Sequence, residues 1–169
     1  MDSIVAIQQP CTDQAAESWL DSHARDLRDG RGFHFAVTGR CEPDSLIGYT
    51  ALTNVNRESE EAQLGFWVGY DFAGKGYASE AARGVVHFAF STLLLNRVAG
   101  YHKRRNDAAR KVLEKASMQK EGILRQRVRE NHTFQDVAVW SILREEWLED
   151  FDYAEFNVEI EKQESLSLS

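Results

Sequence analysis

Residues 62–94, "AQLGFWVGYDFAGKGYASEAARGVVHFAFSTLL", change their period half-way along. "AQLGFWVG" (62–69) reads as a strand, whereas Ala78, Ala82, Val85, Val86, Ala89 and Leu93 fall on one helical face across 77–94. A second short strand, "RVAGYH" (97–102), follows directly. A strand, a helix and a strand joined this tightly form a crossover, so the two strands must run parallel in one sheet with the helix packed across it. Gly74 and Gly76 flank Lys75 at the junction of strand and helix.

The rest of the chain builds outwards from this unit. Residues 12–28 predict a helix with Thr12 as N-cap, and Ala15, Ala16, Trp19, Leu20, His23 and Leu27 on its inner face. Gly30 and Gly32 end it. "FHFAVT" (33–38) and "LIGYTAL" (46–52) precede strand 62–69 as antiparallel partners, with a polar turn at 54–61. Asn106 opens another helix, with Ala108, Ala109, Val112, Leu113 and Ala116 inward. "GILRQRVR" (122–129) and "FQDVAVWSIL" (134–143) form a closing hairpin, and 144–150 add a helical turn. The expected fold is α/β (α+β): a mixed, mostly antiparallel sheet with one parallel pair and helices on both faces.

One domain is expected over residues 1–150, followed by an acidic tail at 151–169. In the tail Phe156, Val158 and Ile160 alternate with Asn157, Glu159 and Glu161, which is a half-buried strand pattern. One reading places 155–161 beside strand 33–38, within the chain or by exchange in a homodimer. The other leaves the tail disordered.

Composition excludes several functions. The net charge is −7, which argues against general binding to nucleic acid or an anionic membrane. Apolar runs such as "VVHFAF" are too short to span a bilayer, and "MDSIVAIQQP" carries no secretion signal. Cys11 and Cys41 lack CxxC spacing and read as free thiols in a reducing compartment, a disulfide between them being the alternative. A cytoplasmic location is expected, and no metal.

The Gly74-Lys75-Gly76 turn offers backbone N–H groups at a helix N-terminus, where phosphate oxygens bind. Glycines there admit a ligand closely, although βα turns also carry them for purely geometric reasons. The turn is neither a Walker loop nor GxGxxG, since Ser79 stands at the third glycine's place. A nucleotide or another phosphate ligand stays open on these residues alone.

"GFWVGYDFAGKGYASEAARGVVHFAF", "LNRVAGYHKRRNDAARKVLEKA" and "EGILRQRVREN…FQDVAVWSILREEW", in that order, resemble the GNAT superfamily of acetyl-CoA-dependent N-acetyltransferases. The branch containing the ribosomal-protein N-terminal acetyltransferases, the RimJ/RimL group, is the most similar. The resemblance implies that acetyl-CoA is the cosubstrate, with its diphosphate on the amides of Gly74, Lys75, Gly76, Tyr77, Ala78 and Ser79. It implies that the pantetheine arm lies between two splayed strands against Trp67, Val68 and Gly69, with the Val68 N–H polarising the thioester carbonyl. The acceptor is then a primary amine, on a protein N-terminus or a small molecule, attacking directly in a ternary complex. A non-catalytic acyl-CoA-binding module is the alternative.

Several residues have two readings. Asn106 is an N-cap or a pantetheine ligand, or both. His102 is a proton relay or a surface histidine. Lys103, Arg104 and Arg105, with Arg110 and Lys111 nearby, form a solvated run or face the adenosine phosphates. Glu80 favours the first helical turn and is structural. Trp67 and Tyr49 line the acceptor side or belong to the core. The chain departs from the family pattern at Asp71, at Ala109 in place of serine, and at Ser117-Met118 in place of Gly-Phe. Loss of that glycine predicts a changed end to the preceding helix.

Overall fold

Residues 12–40, 42–130 and 132–150 are described by a computed structural model. Cys11, Cys41 and the proposed strand 155–161 lie outside them. The described elements are α1 (Asp13–Arg28), β1 (Phe33–Thr38), β2 (Leu46–Asn56), β3 (Glu61–Val68), α2 (Tyr77–Ser91), β4 (Arg97–Lys103), α3 (Asp107–Lys115), β5 (Gln119–Glu130), β6 (Thr133–Leu143) and α4 (Arg144–Asp150). Six strands form one sheet in the order β1-β2-β3-β4-β6-β5. The β3–β4 pair is parallel and the other pairs are antiparallel, as the crossover requires.

Each face of the sheet has its own helices. Phe33 and Phe35 turn to α2, where both meet Phe88 edge-on. His34, between them, turns to the opposite face and meets α1. The main core lies on the α2 face, where Leu52, Leu64, Val86, Phe90, Val98, Leu113 and Ile142 are buried with Trp140 and Trp147. A β-carbon on Gly100 would lie 2.7 Å from Leu113 Cδ2, so α3 packs directly on β4 there.

Some helix expectations need correction. Leu20 and Leu27 of α1 are 58% and 59% exposed. α1 reaches the sheet through Trp19, His23 and Asp26, and buries none of its residues fully. Ala108 is likewise exposed. α2 ends at Ser91, because Leu94 adopts a left-handed φ of 55°. β2 runs on to Asn56, and the Asn56 side chain caps the turn by accepting from the amides of Glu58 and Ser59.

The end of α3 also differs from expectation. Met118 N–H donates to Leu113 O and Ser117 N–H to Glu114 O, the paired bonds of a Schellman ending. Ser117 takes the left-handed position at φ 56°, where glycine carries no β-carbon penalty. The helix therefore ends in ordinary geometry with a strained residue. Ser117→Gly is expected to raise stability by about 1 kcal/mol, read as a higher denaturant midpoint at unchanged slope. An unchanged or lower midpoint would show that the position carries no strain.

Candidate functional site

The parallel ladder between β3 and β4 stops early. It pairs Glu61–Leu64 with Arg97–Gly100, yet β3 continues to Val68 and β4 to Lys103. Beyond Leu64 the two strands part, and the gap exposes backbone groups. Their direction follows from strand alternation. Gly69 N–H donates to Ile47 O on β2, so the intervening Val68 turns its N–H and C=O away from β2 and into the gap. Phe66 does the same. Trp67 and Gly69 turn theirs towards β2, and Gly69 O also accepts from Phe72 N–H. Of the three residues implied for the pantetheine arm, Val68 is the one with groups facing the gap.

Gly48 holds this edge in place. It lies opposite Val68, and a β-carbon on it would stand 2.4 Å from Trp67 O and 2.9 Å from Val68 Cα. Only glycine lets β2 press so closely on the end of β3.

After β3 the chain makes a short 3-10 turn at Tyr70–Phe72 and enters the glycine loop. Gly74 and Gly76 have φ of 77° and 96°, values that explain both glycines on backbone grounds. Their missing β-carbons would meet nothing within 4 Å, so the loop also faces open space. Gly76 is the N-cap of α2 and accepts from the amides of Ser79 and Glu80. The Ser79 amide is thereby occupied. The amides of Gly74, Lys75, Gly76, Tyr77 and Ala78 donate to no acceptor among the described residues. Lys75 is exposed, its ammonium 5.7 Å from the Phe72 ring centre. Glu80 is exposed in the first turn of α2.

On β4, His102 is 3% exposed and is not a surface histidine. Register places it on the α2–α3 face, diagonal to Trp140. Its Nδ1 donates to Lys103 O at 2.8 Å, which leaves Nε2 as a bare lone pair without a partner among the described residues. Asn106 caps α3, its Oδ1 accepting from Ala109 N–H at 2.9 Å. The basic run divides. Lys103 is 6% exposed, with Nζ 2.6 Å from Glu130. Arg104 stays exposed near Asp136, and Arg110 pairs with Asp107 and Glu114 on its own helix. Lys103 thus departs from the solvated reading.

The opposite face carries a group that sequence alone did not assemble. Tyr49, directly across from Trp67, has its hydroxyl 2.6 Å from His34 Nδ1, and His34 Nε2 is 3.2 Å from Asp26 Oδ2. His23 stacks on His34 with centroids 3.8 Å apart, and the Tyr49 and Trp67 rings stack at 6.2 Å. Burial, then Asp26, pushes the Tyr49 hydroxyl up to about 12. Burial, then His34, lowers His23, against a smaller opposing pull from Asp26.

Residues 2–119 match the family model described as the acetyltransferase (GNAT) domain. The chain belongs to the GNAT family. Bacillus subtilis (strain 168) YdaF, named a putative ribosomal N-acetyltransferase, is 34% identical over 80% of this chain and 72% of its own. A crystal structure of a probable acetyltransferase is 30% identical with a TM-score of 0.74, over 80% of this chain and 75% of that one. The GNAT fold recurs in spermidine N-acetyltransferase from Vibrio cholerae in complex with CoA and spermine, at TM-score 0.73 and 21% identity, over 83% and 81% of the two chains. This GNAT protein is therefore an acetyltransferase, and the resemblance to the RimJ/RimL-like branch holds. Among the described residues no helix is long and apolar enough to cross a membrane, and no cluster of metal-ligating side chains occurs.

Proposed function

We propose that the protein transfers the acetyl group of acetyl-CoA to a primary amine, on a protein N-terminus or a small molecule, by direct attack within a ternary complex. The observation that carries this is the β3–β4 gap, with the Val68 N–H turned into it and a loop of unclaimed amides at its mouth. The pantetheine arm pairs with Phe66 and Val68 as an added strand would. Val68 N–H then donates to the thioester oxygen as charge develops there. The diphosphate rests on the amides from Gly74 to Ala78, at the positive end of α2.

His102 and Asn106 flank the gap from β4 and α3. His102 sits on the α2–α3 face with Nε2 buried, and as a proton relay it would have to act from there through the end of the gap. Asn106 caps α3 with Oδ1, and in this reading it is also the pantetheine ligand on that side of the gap. No acyl-enzyme is needed, because the amine attacks the thioester carbon itself and the thiolate leaves.

Initial rates with acetyl-CoA and a panel comprising spermidine, a seryl peptide and glycinamide test this. Intersecting double-reciprocal lines are expected. Parallel lines with a kinetically competent acetyl-enzyme would overturn direct transfer. CoA binding without turnover of any amine would favour the non-catalytic module.

A further inference from the structure

The two edges of the sheet are guarded differently. The β5 edge carries Lys120, Glu121, Arg125, Arg127 and Arg129, and its ladder is broken by two register shifts. Charges and bulges of that kind keep other strands away. β1, at the other edge, has no Lys, Arg, Asp, Glu or Pro, and its one irregularity comes at its last step, between Val37 and Thr38. Among the described residues no strand pairs with its outer side. We propose that residues 155–161 of this same chain, which lie outside the described residues, seat on that edge as a further strand. Phe156, Val158 and Ile160 then fill the groove between β1 and α2.

The edge is ready for a strand. Ile47 O accepts from Gly69 N–H, so Ile47, Tyr49 and Ala51 turn their backbone groups to β3, and Gly48, Thr50 and Leu52 turn theirs to β1. Val37, Phe35 and Phe33 stand opposite those three and are thereby paired. His34 and Ala36 point the other way, and the N–H and C=O of each lie along the open edge.

The groove beside that edge suits apolar side chains. Phe35 and Val37 form its floor, and Ala81, Gly84, Val85 and Phe88 of α2 form its wall. Its volume of about 370 Å³ is more than ten times the roughly 30 Å³ of a water. Gly84 stands in the middle of α2, where glycine weakens a helix. A β-carbon there would meet nothing within 4 Å, so no contact among the described residues calls for glycine. A strand lying over that turn does.

Residues 155–161 match both features. Phe156, Val158 and Ile160 recur at every second position, as Phe33, Phe35 and Val37 do on β1. All three therefore enter the α2 face together, while Asn157, Glu159 and Glu161 stay on the polar side. The reach also closes. Trp147 of α4 packs on His87 and Phe90 of α2, and Phe88 between them is part of the groove wall. α4 ends at Asp150. Residues 151–154 extend to about 14 Å, against roughly 10–12 Å for the width of a helix, so they can cross α2. Phe88 meets Phe33 and Phe35, so the tail enters at the start of β1 and runs parallel to it. Residues 1–11 fit the edge less well, because Ile4-Val5-Ala6-Ile7 is a continuous apolar run without the alternation of a strand with one polar face.

Amide hydrogen exchange on the full chain tests this. The His34 and Ala36 amides should exchange about 100-fold or more slower than an open edge allows, close to Phe35, whose N–H is held by β2. Val158→Asp, which puts a charge into the groove, should speed His34 and Ala36 by at least about tenfold and leave Phe35 unchanged. Gly84→Leu, which fills the groove from the α2 side, should do the same. Open-edge rates for His34 and Ala36 in the parent chain would overturn the proposal. So would protection that survives either substitution, the result expected if residues 1–11 hold the edge, or protection that vanishes on dilution, the result expected of a second copy.

Discussion

A Gly48→Ala variant is expected to lose about 100-fold or more of kcat, since a misplacement near 1 Å at a reacting centre costs that much. The added β-carbon would stand 2.4 Å from Trp67 O and 2.9 Å from both Val68 Cα and Val68 Cγ1. Two of these three contacts are backbone, so no rotamer change relieves them. β3 must move instead, and its free direction is into the gap, where Val68 N–H is aimed. Overpacking of this kind costs roughly 1–3 kcal/mol of stability. The measurement is kcat beside the thermal midpoint. A folded Gly48→Ala enzyme with unchanged kcat would remove Val68 from the reaction.

Gly76→Val is expected to weaken CoA binding by about 100-fold or more, the loss that follows when several backbone donors to one phosphate group are displaced together. At φ 96° the residue occupies a backbone region that a β-branched side chain avoids. Forcing it there costs on the order of 1–3 kcal/mol, so the loop rearranges and its amides no longer converge. Open space around Gly76 means that the side chain itself clashes with nothing in the free protein. The fold should therefore survive, which circular dichroism checks. Lys75→Ala is the contrast. Its ammonium is exposed, and removal should cost about 1 kcal/mol, roughly fivefold in affinity.

The sequence reveals what periodicity and turn chemistry encode. The β3-α2-β4 crossover is legible because the period changes at two glycines. The caps Thr12 and Asn106 are legible because short polar side chains before a helical stripe have one favourable use. Burial on α1 is not, since Leu20 and Leu27 fit the stripe but extend beyond what β1 and β2 cover. The parting of β3 from β4 leaves no mark in either strand's pattern, because it depends on where their ladder stops. Asp26, His34 and Tyr49 come from three elements, and only the paired sheet brings them within hydrogen-bond reach. Ser117 shows the converse. A substitution that suggested a different helix end is absorbed by a left-handed serine, because the Schellman bonds outweigh the strain.

Backbone amide spectra recorded during a titration with CoA test the central claim most directly. The account predicts the largest shifts at Gly74, Lys75, Gly76, Tyr77 and Ala78, where phosphate would meet unclaimed donors, and at Phe66 and Val68, which face the gap. Ser79 should move less, its N–H being held by Gly76 O. CoA binding that leaves Val68 and the 74–78 amides unshifted, with changes confined to another part of the sheet, would contradict it.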